Sequence, residues 1–400
     1  MDYNVNVGYS ENLAKKISYE INGGYWKVFN RCFFNKAECL RLATALKKFP
    51  VTYHFFDEVY TSIDWKKPID RSLEALYAER AKYIREKYKY VCVFFSGGCD
   101  STTALKSFLD NGLHVDEVIT AYPVEASEKL LSTFNPADTS SQNQIFEYYH
   151  AAVPAFNYLK KHYPKTKLTV IDYSREALSL IDNSNLYKIF LSGCNANAAT
   201  VGNYLSYKEI SKHENSCIVL GVDKPRISYN VVDKKFKVYF LDFNNIHGKF
   251  PKDTFQGDQP STEYFYHSPY FPLIIVKQCQ NILNDLYSLI NPNHPFYSEV
   301  VKPSLDPNSL TIDVHHSYIK KLLYPHWDTS IFQAEKPNSY FFFEMNNWIY
   351  EKNLVSNRIK DFTIGQVKEL THGVDPKFIT YNNNIPQKFN DIISTRIPLN

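Results

Sequence analysis

The chain has 400 residues, of which 44% are hydrophobic and 22% charged, which is ample apolar content and too much length for one ordinary core, so two domains are expected. Its 45 basic and 42 acidic residues leave a formal charge of +3, which excludes a long nucleic-acid track and leaves room only for a small basic patch. The start Met1-Asp2-Tyr3-Asn4-Val5 lacks a basic-then-apolar leader and no apolar run reaches membrane-spanning length, so a cytoplasmic protein without membrane partners is expected.

In chain order, residues 1–69 read as an irregular α+β extension with one amphipathic helix over 36–46. A second helix is predicted over 70–87, capped by Asp70, with Leu73, Leu76, Tyr77 and Ile84 on one face. The apolar run from Tyr90 to Phe95 reads as a buried strand. After it come Ser96-Gly97-Gly98-Cys99-Asp100-Ser101 and a helix on which Ala104, Leu105, Phe108 and Leu109 repeat at helical spacing. The alternation continues with a strand over 116–122, a helix over 143–162, a strand over 167–172, a helix over 195–213 and a strand over 216–221. This pattern predicts a doubly wound, mainly parallel α/β sheet over 70–245, with ligands beyond the carboxyl ends of its strands. Residues 227–243 read as a hairpin turning at Asp233-Lys234-Lys235, 250–265 as a loop, and 246–400 as a mostly helical domain interrupted by prolines. In that last region Lys277 and Gln278 are placed to reach the cleft, and His315, His316, His326 and His372 read as structural.

The strand, Gly-Gly turn and helix start around Ser96 build an anion cradle. Two glycines let the backbone approach phosphate oxygens closely. The amides of Cys99 to Thr102 and the hydroxyls of Ser96, Ser101 and Thr102 are then expected to point at a pyrophosphate, with Asp100 placed to hold a cation. Neither a G-x-x-x-x-G-K-[ST] loop nor a G-x-G-x-x-G loop after a strand is present. With the strand-one residues Phe95 to Thr102, the strand-two end Ala121-Tyr122 and the strand-four end Gly221 are expected to surround one nucleotide. In Gly221-Val222-Asp223-Lys224-Pro225-Arg226, Asp223 would share Mg²⁺ with Asp100, and Lys224 and Arg226 would neutralise pyrophosphate charge. A solvated charged turn is the competing reading. Seven scattered cysteines without a C-x-x-C pair read as small core residues rather than zinc or dithiol ligands.

The Ser96–Ser101 run closely resembles the S-G-G-x-D-S loop of the ATP pyrophosphatase (PP-loop) superfamily. The resemblance implies α–β cleavage of ATP with Mg²⁺, adenylation of a substrate oxygen and release of pyrophosphate. Gly221 and Asp223 are similar to the glycine and acid of the G-x-G-x-D-E-x-x-x-G-Y stretch in the synthetase domain of asparagine synthetases and β-lactam synthetases. The following Glu and the Gly-Tyr end are replaced by Lys224-Pro225-Arg226, which departs from aspartate-using members; the likeness spans roughly 70–290. In the same family substrate contacts lie near the helix before strand four, which here implicates Asn195, Asn197 and Thr200 in holding a carboxylate-bearing substrate, with tight helix packing as the alternative. Position 2 is Asp2 rather than a cysteine nucleophile, so no glutamine hydrolysis is expected and the amine is ammonia, a partner's product or part of the substrate. The resemblance thus implies an AMP-forming, amide-forming ligase acting on a small molecule. A nucleoside- or tRNA-modifying PP-loop enzyme and a non-catalytic ATP-binding protein are the alternatives.

Overall fold

The computed structural model describes residues 8–47, 50–122, 124–125, 146–178, 199–222, 224–242, 259–304, 308–314, 317–324, 368, 371–382, 385–389, 394 and 396–399. The chain opens with helix α1 (Glu11–Ile21), strands β1 (Tyr25–Val28) and β2 (Arg31–Phe33), helix α2 (Lys36–Leu46) and strand β3 (Val51–His54). The strands form an antiparallel sheet in the order β2-β1-β3. The predicted 36–46 helix is α2, whose N-cap Asn35 accepts from the Glu38 amide. After a short helix, α3 (Asp57–Ser62), comes α4 (Leu73–Lys87). Its cap is Ser72 rather than the predicted Asp70, because the Ser72 hydroxyl is the one that accepts the Ala75 amide at 3.3 Å.

Strands β4 (Tyr90–Phe94), β5 (Glu117–Tyr122), β6 (Lys167–Asp172) and β7 (Ser216–Leu220) follow, with helix α5 (Cys99–Leu109) between the first two. A hairpin of β8 (Arg226–Asn230) and β9 (Lys235–Tyr239) comes next, then β10 (Ser261–Tyr264). Five of these strands pair in parallel in the order β10-β7-β4-β5-β6. The order therefore reverses between β4 and β7. β7 is buried throughout and β4 at its three central residues, which is why they read as continuous apolar runs rather than as alternating ones. The predicted 143–162 helix divides into a π-helical turn, Phe146–Ala152, and an α-helix, Val153–His162, with Pro154 in the first turn of the latter. The predicted 195–213 helix is present as Ala199–Ile210, and residues 195–198 lie outside the described residues.

Strand β10 corrects the loop predicted over 250–265. Ser261-Thr262-Glu263-Tyr264 carries no strand pattern of its own, and two tertiary contacts hold it extended. It pairs with β7 from Ser261 opposite Cys217 to Tyr264 opposite Leu220. Its Glu263 is buried and bound by Arg80 Nη2 at 2.7 Å, Lys87 Nζ at 2.9 Å and the Tyr88 hydroxyl at 2.6 Å, all from α4 or the residue after it. Arg80, itself fully buried, also donates to the Tyr264 carbonyl at 3.0 Å.

The rest of the chain adds β11 (Val301–Pro303), β12 (Ser309–Ile312), β13 (Ile379–Asn382), β14 (Ile385–Phe389) and β15 (Ile397–Pro398). An antiparallel sheet runs β11-β12-β8-β9-β15, and β13 pairs with β14. The mostly helical reading of 246–400 is met at Leu273–Leu289, Tyr297–Val300 and Ser317–Leu323. The described remainder supplies short strands, of which β12 and β15 pair with the distant β8 and β9 while β11 pairs with β12 and β13 with β14. Trp26, Phe55, Leu76, Val93, Val219, Ile275 and Ile282 belong to one apolar cluster. Strand β1 and helix α2 are tied to the segment after β9 by a buried contact, where Asp242 Oδ2 accepts from Trp26 Nε1 at 2.7 Å and Lys36 Nζ at 2.6 Å. Among the described residues no helix is long and apolar enough to cross a membrane.

Arg80→Met is expected to lower folding stability by about 3–5 kcal/mol in urea unfolding, because it leaves the buried Glu263 without its guanidinium. Burial pushes the Glu263 carboxyl up, but Arg80, the Tyr88 hydroxyl and Lys87 outweigh it and hold the group below its ordinary 4.5. Its stabilisation is therefore complete above pH 4.5 and is lost as pH falls through the lower native value. Glu263→Gln should flatten that acid limb of the urea midpoint.

Candidate functional site

Strand β4 delivers the chain to the loop at Phe95. The Phe95 amide donates to the Ile119 carbonyl at 2.8 Å, and its carbonyl accepts from Thr120 Oγ1 at 2.5 Å. The ring is buried in the core. Both backbone groups and the side chain thus serve the fold, which removes Phe95 from the predicted nucleotide contacts.

The turn itself demands glycine at Gly97. Its φ is +80°, and a Cβ there would stand 2.5 Å from Ala151 Cβ in the π-helical turn. Gly98 is the N-cap of α5 and offers no side-chain cap. Ser101 closes the loop from within: Oγ donates to the Gly98 carbonyl at 3.2 Å, accepts the Ser96 amide at 3.2 Å and lies 3.2 Å from Ser96 Oγ. The Ser96 hydroxyl accepts the Gly98 amide at 3.4 Å.

The predicted donor set is therefore smaller in the fold. The Thr102 amide donates to the Gly98 carbonyl at 2.9 Å, as an ordinary helical bond. The Ser101 and Thr102 side chains are buried, the latter hydroxyl without a hydrogen-bond partner among the described residues. By position, the amides of the first α5 turn at Cys99 to Ser101 are the ones an anion would use, aided by the positive end of the helix dipole. The Cys99 thiol is buried, with Sγ 3.8 Å from Asp100 Oδ1.

The exit of β7 forms the opposite wall. A Cβ on Gly221 would lie 2.7 Å from Ser101 Cα and 2.8 Å from the Asp100 carbonyl oxygen, so the two backbones meet at a distance only glycine allows. This approach brings Lys224 to the loop, with Nζ 2.7 Å from Asp100 Oδ1 and 2.5 Å from Oδ2. Behind the pair stands a tyrosine cluster of which the sequence periodicity places only Tyr77, on one face of its helix. The Tyr266 hydroxyl donates to the Asp100 carbonyl at 2.7 Å, and the Tyr324 ring centre lies 5.4 Å from Lys224 Nζ. Tyr266 meets Tyr324 and Tyr77 edge-on at 5.5 and 5.4 Å. Burial pushes the Tyr266 and Tyr324 phenols well above their ordinary value, so both stay neutral. Nothing in the local pattern around Tyr266 or Tyr324 singles either out from the chain's 31 tyrosines.

Of the other predicted residues, Ala121 and Tyr122 end β5, and the Tyr122 ring stacks on Tyr148 at 4.9 Å and 11°. Ala121 Cβ lies 3.1 Å from where a Cβ on Gly202 would stand. Arg226 opens β8 in register with Tyr239, a strand position rather than part of the loop. Thr200 lies in the first turn of helix Ala199–Ile210, while Asp223, Asn195 and Asn197 lie outside the described residues. Lys277 and Gln278 do not serve the cleft, because their side chains donate to the Ile69 carbonyl and the Tyr77 hydroxyl, each at 2.8 Å.

Among the described residues no group of three His, Cys, Asp or Glu side chains is placed to hold a metal ion. A Mg²⁺ carried on phosphates takes most of its oxygens from them and from water and needs only one or two carboxylates. Asp100 meets that demand as a single ligand only when Lys224 leaves its oxygens.

Gly221→Ala is expected to destabilise the protein by about 1–3 kcal/mol, because the atoms it would strike are backbone and cannot rotate away; thermal unfolding reads the loss. Comparison of the chain with protein-family models, curated proteins and solved structures finds no match, so the functional reading stands on the residues and geometry of this site.

Proposed function

We propose that the chain is a Mg²⁺- and ATP-dependent ligase of the ATP pyrophosphatase type, which adenylates a substrate oxygen, releases pyrophosphate and forms an amide. The observation that carries the reading is the position of the Ser96–Ser101 run. It joins the carboxyl end of a central parallel strand to a helix N-terminus, with a lysine from the neighbouring strand's exit on its acid. The strand order β10-β7-β4-β5-β6, read as a doubly wound sheet, puts its reversal point between β7 and β4, where ligands of such sheets bind.

In this proposal the first-turn amides of α5 hold the β and γ phosphates, and the Ser96 and Ser101 hydroxyls hold the loop in shape around them. A substrate carboxylate oxygen attacks the α phosphorus, and the bond from that phosphorus to the bridging α–β oxygen breaks, giving an acyl-adenylate and pyrophosphate. Lys224, with Arg226 nearby in sequence, balances the charge that accumulates on the leaving pyrophosphate. Mg²⁺, held by Asp100 and the phosphates, would screen phosphate charge when bound. An amine then attacks the acyl carbon and displaces AMP, giving the amide. The protein's contribution is positioning and charge neutralisation rather than a covalent nucleophile, in keeping with the burial of the Cys99 thiol. One observation favours a second reading, nucleotide binding without turnover: Lys224 already occupies both Asp100 oxygens.

The deciding assay follows pyrophosphate and AMP release from Mg-ATP with pooled amino acids, small carboxylates and bulk tRNA. Equal amounts of AMP and pyrophosphate with one pool are expected, and a tRNA-dependent signal would instead select nucleoside modification. ADP and phosphate would overturn the proposal, and ATP binding without any product would select the binding-protein reading. Asp100→Ala should abolish Mg²⁺-dependent turnover. Lys224→Ala should reduce kcat more than ATP affinity, as steady-state kinetics and equilibrium binding measure separately.

A further inference from the structure

The acid of the loop is not an open ligand. One ammonium meets both oxygens of Asp100, at 2.7 and 2.5 Å. The two side chains differ in exposure: that of Lys224 is 2% exposed and that of Asp100 24%. The ammonium therefore approaches the carboxylate from the protein side, and the carboxylate keeps one edge toward solvent. A divalent cation arriving at that edge meets a pair whose charge is already cancelled.

Lys224 is also tethered. It lies between the end of β7 at Leu220 and the start of β8 at Arg226, beside the buried Pro225, with the Tyr324 ring against its ammonium. Both flanking strands are paired in sheets, so freedom is left mainly in the side chain. An ammonium this buried is costly to separate from its carboxylate unless a new anion takes over as partner.

We propose that Lys224 is a resident competitor for the divalent cation at Asp100. In the free protein the ammonium fills the cation position. When a polyphosphate settles on the first turn of α5, its oxygens become the new partner of Lys224, and Asp100 is released to the metal that arrives with the phosphates. Metal and polyphosphate then bind cooperatively, and a bare metal ion does not prime the empty loop. The inference rests on the polyphosphate reading of the loop. It makes Lys224 a positioning residue for Asp100 as well as a counter-charge.

The test uses Mn²⁺ as the probe, its binding to the full-length, nucleotide-free protein read by electron paramagnetic resonance. Lys224→Met is expected to bind Mn²⁺ roughly 10-fold more tightly than the wild type, within the usual range of coupling between two sites. The gain should vanish in the Lys224→Met/Asp100→Asn double variant, and Lys224→Arg should show none. A test that needs no substitution at Lys224 compares the wild type with Asp100→Asn. The substitution should leave Mn²⁺ binding to the free protein unchanged and weaken binding of the Mn²⁺ complex of α,β-methylene-ATP. A wild-type Mn²⁺ site that is lost in Asp100→Asn without nucleotide would overturn the proposal, as would a folded Lys224→Met with unchanged Mn²⁺ affinity. If Lys224→Met gains the site while the wild type fails to bind α,β-methylene-ATP, the nucleotide reading falls and the competition at Asp100 stands.

Discussion

The contact on which the candidate site depends is the approach of two backbones at Gly221. There the exit of β7 meets the first turn of α5 so closely that a single Cβ would collide with Ser101 Cα and the Asp100 carbonyl. That distance fixes how far the segment after β7 stands from the loop, and it places the Lys224 ammonium on the Asp100 carboxylate. Gly97 does the same on the other side, admitting the π-helical turn at Ala151. The loop is thus held between two close contacts, and its hydroxyls at Ser96 and Ser101 are spent largely on its own geometry.

Charge is handled in two ways across the molecule. Glu263 is a fully partnered structural anion, surrounded by Arg80, Lys87 and the Tyr88 hydroxyl, and it fastens the edge strand β10 to α4. Removing one partner there leaves an uncompensated charge in a buried place. Asp100 has one buried cation, Lys224, with the Cys99 thiol 3.8 Å from Oδ1, and a partly open face. The Glu263 side chain is 3% exposed and that of Asp100 24%, so an incoming ligand can reach the second carboxylate and not the first. This difference in surroundings, rather than in residue type, separates an anchoring carboxylate from one suited to ligand exchange.

Aromatic residues supply the frame behind the site. Tyr77, Tyr266 and Tyr324 meet edge to face, from α4, the segment after β10 and the end of helix Ser317–Leu323. They come from segments far apart in the chain, so the low-polarity wall behind Lys224 exists only once α4, β10 and that helix have packed. The Tyr266 hydroxyl then reaches the Asp100 carbonyl and ties this wall to the first turn of α5.

The amino-acid order alone determined the elements whose apolar composition or period lies within a few neighbouring residues. Strands β4, β5, β6 and β7 stood out because most of their residues are apolar or β-branched between turn signals, and α2 and α5 because their apolar faces repeat locally. The glycines and acid of the loop were visible for the same reason, since a turn and a helix start act over a few neighbouring residues. Tertiary structure decided the rest. Residues 261–264 are a strand because β7 and Arg80 hold them, Ser72 caps α4 because its hydroxyl reaches the Ala75 amide, and Phe95 is withdrawn from the site because β5 takes both its backbone groups. Lys224 looked like one charge in a turn; that it lies buried against Asp100 depends on a contact between residues 124 positions apart, which no local pattern encodes.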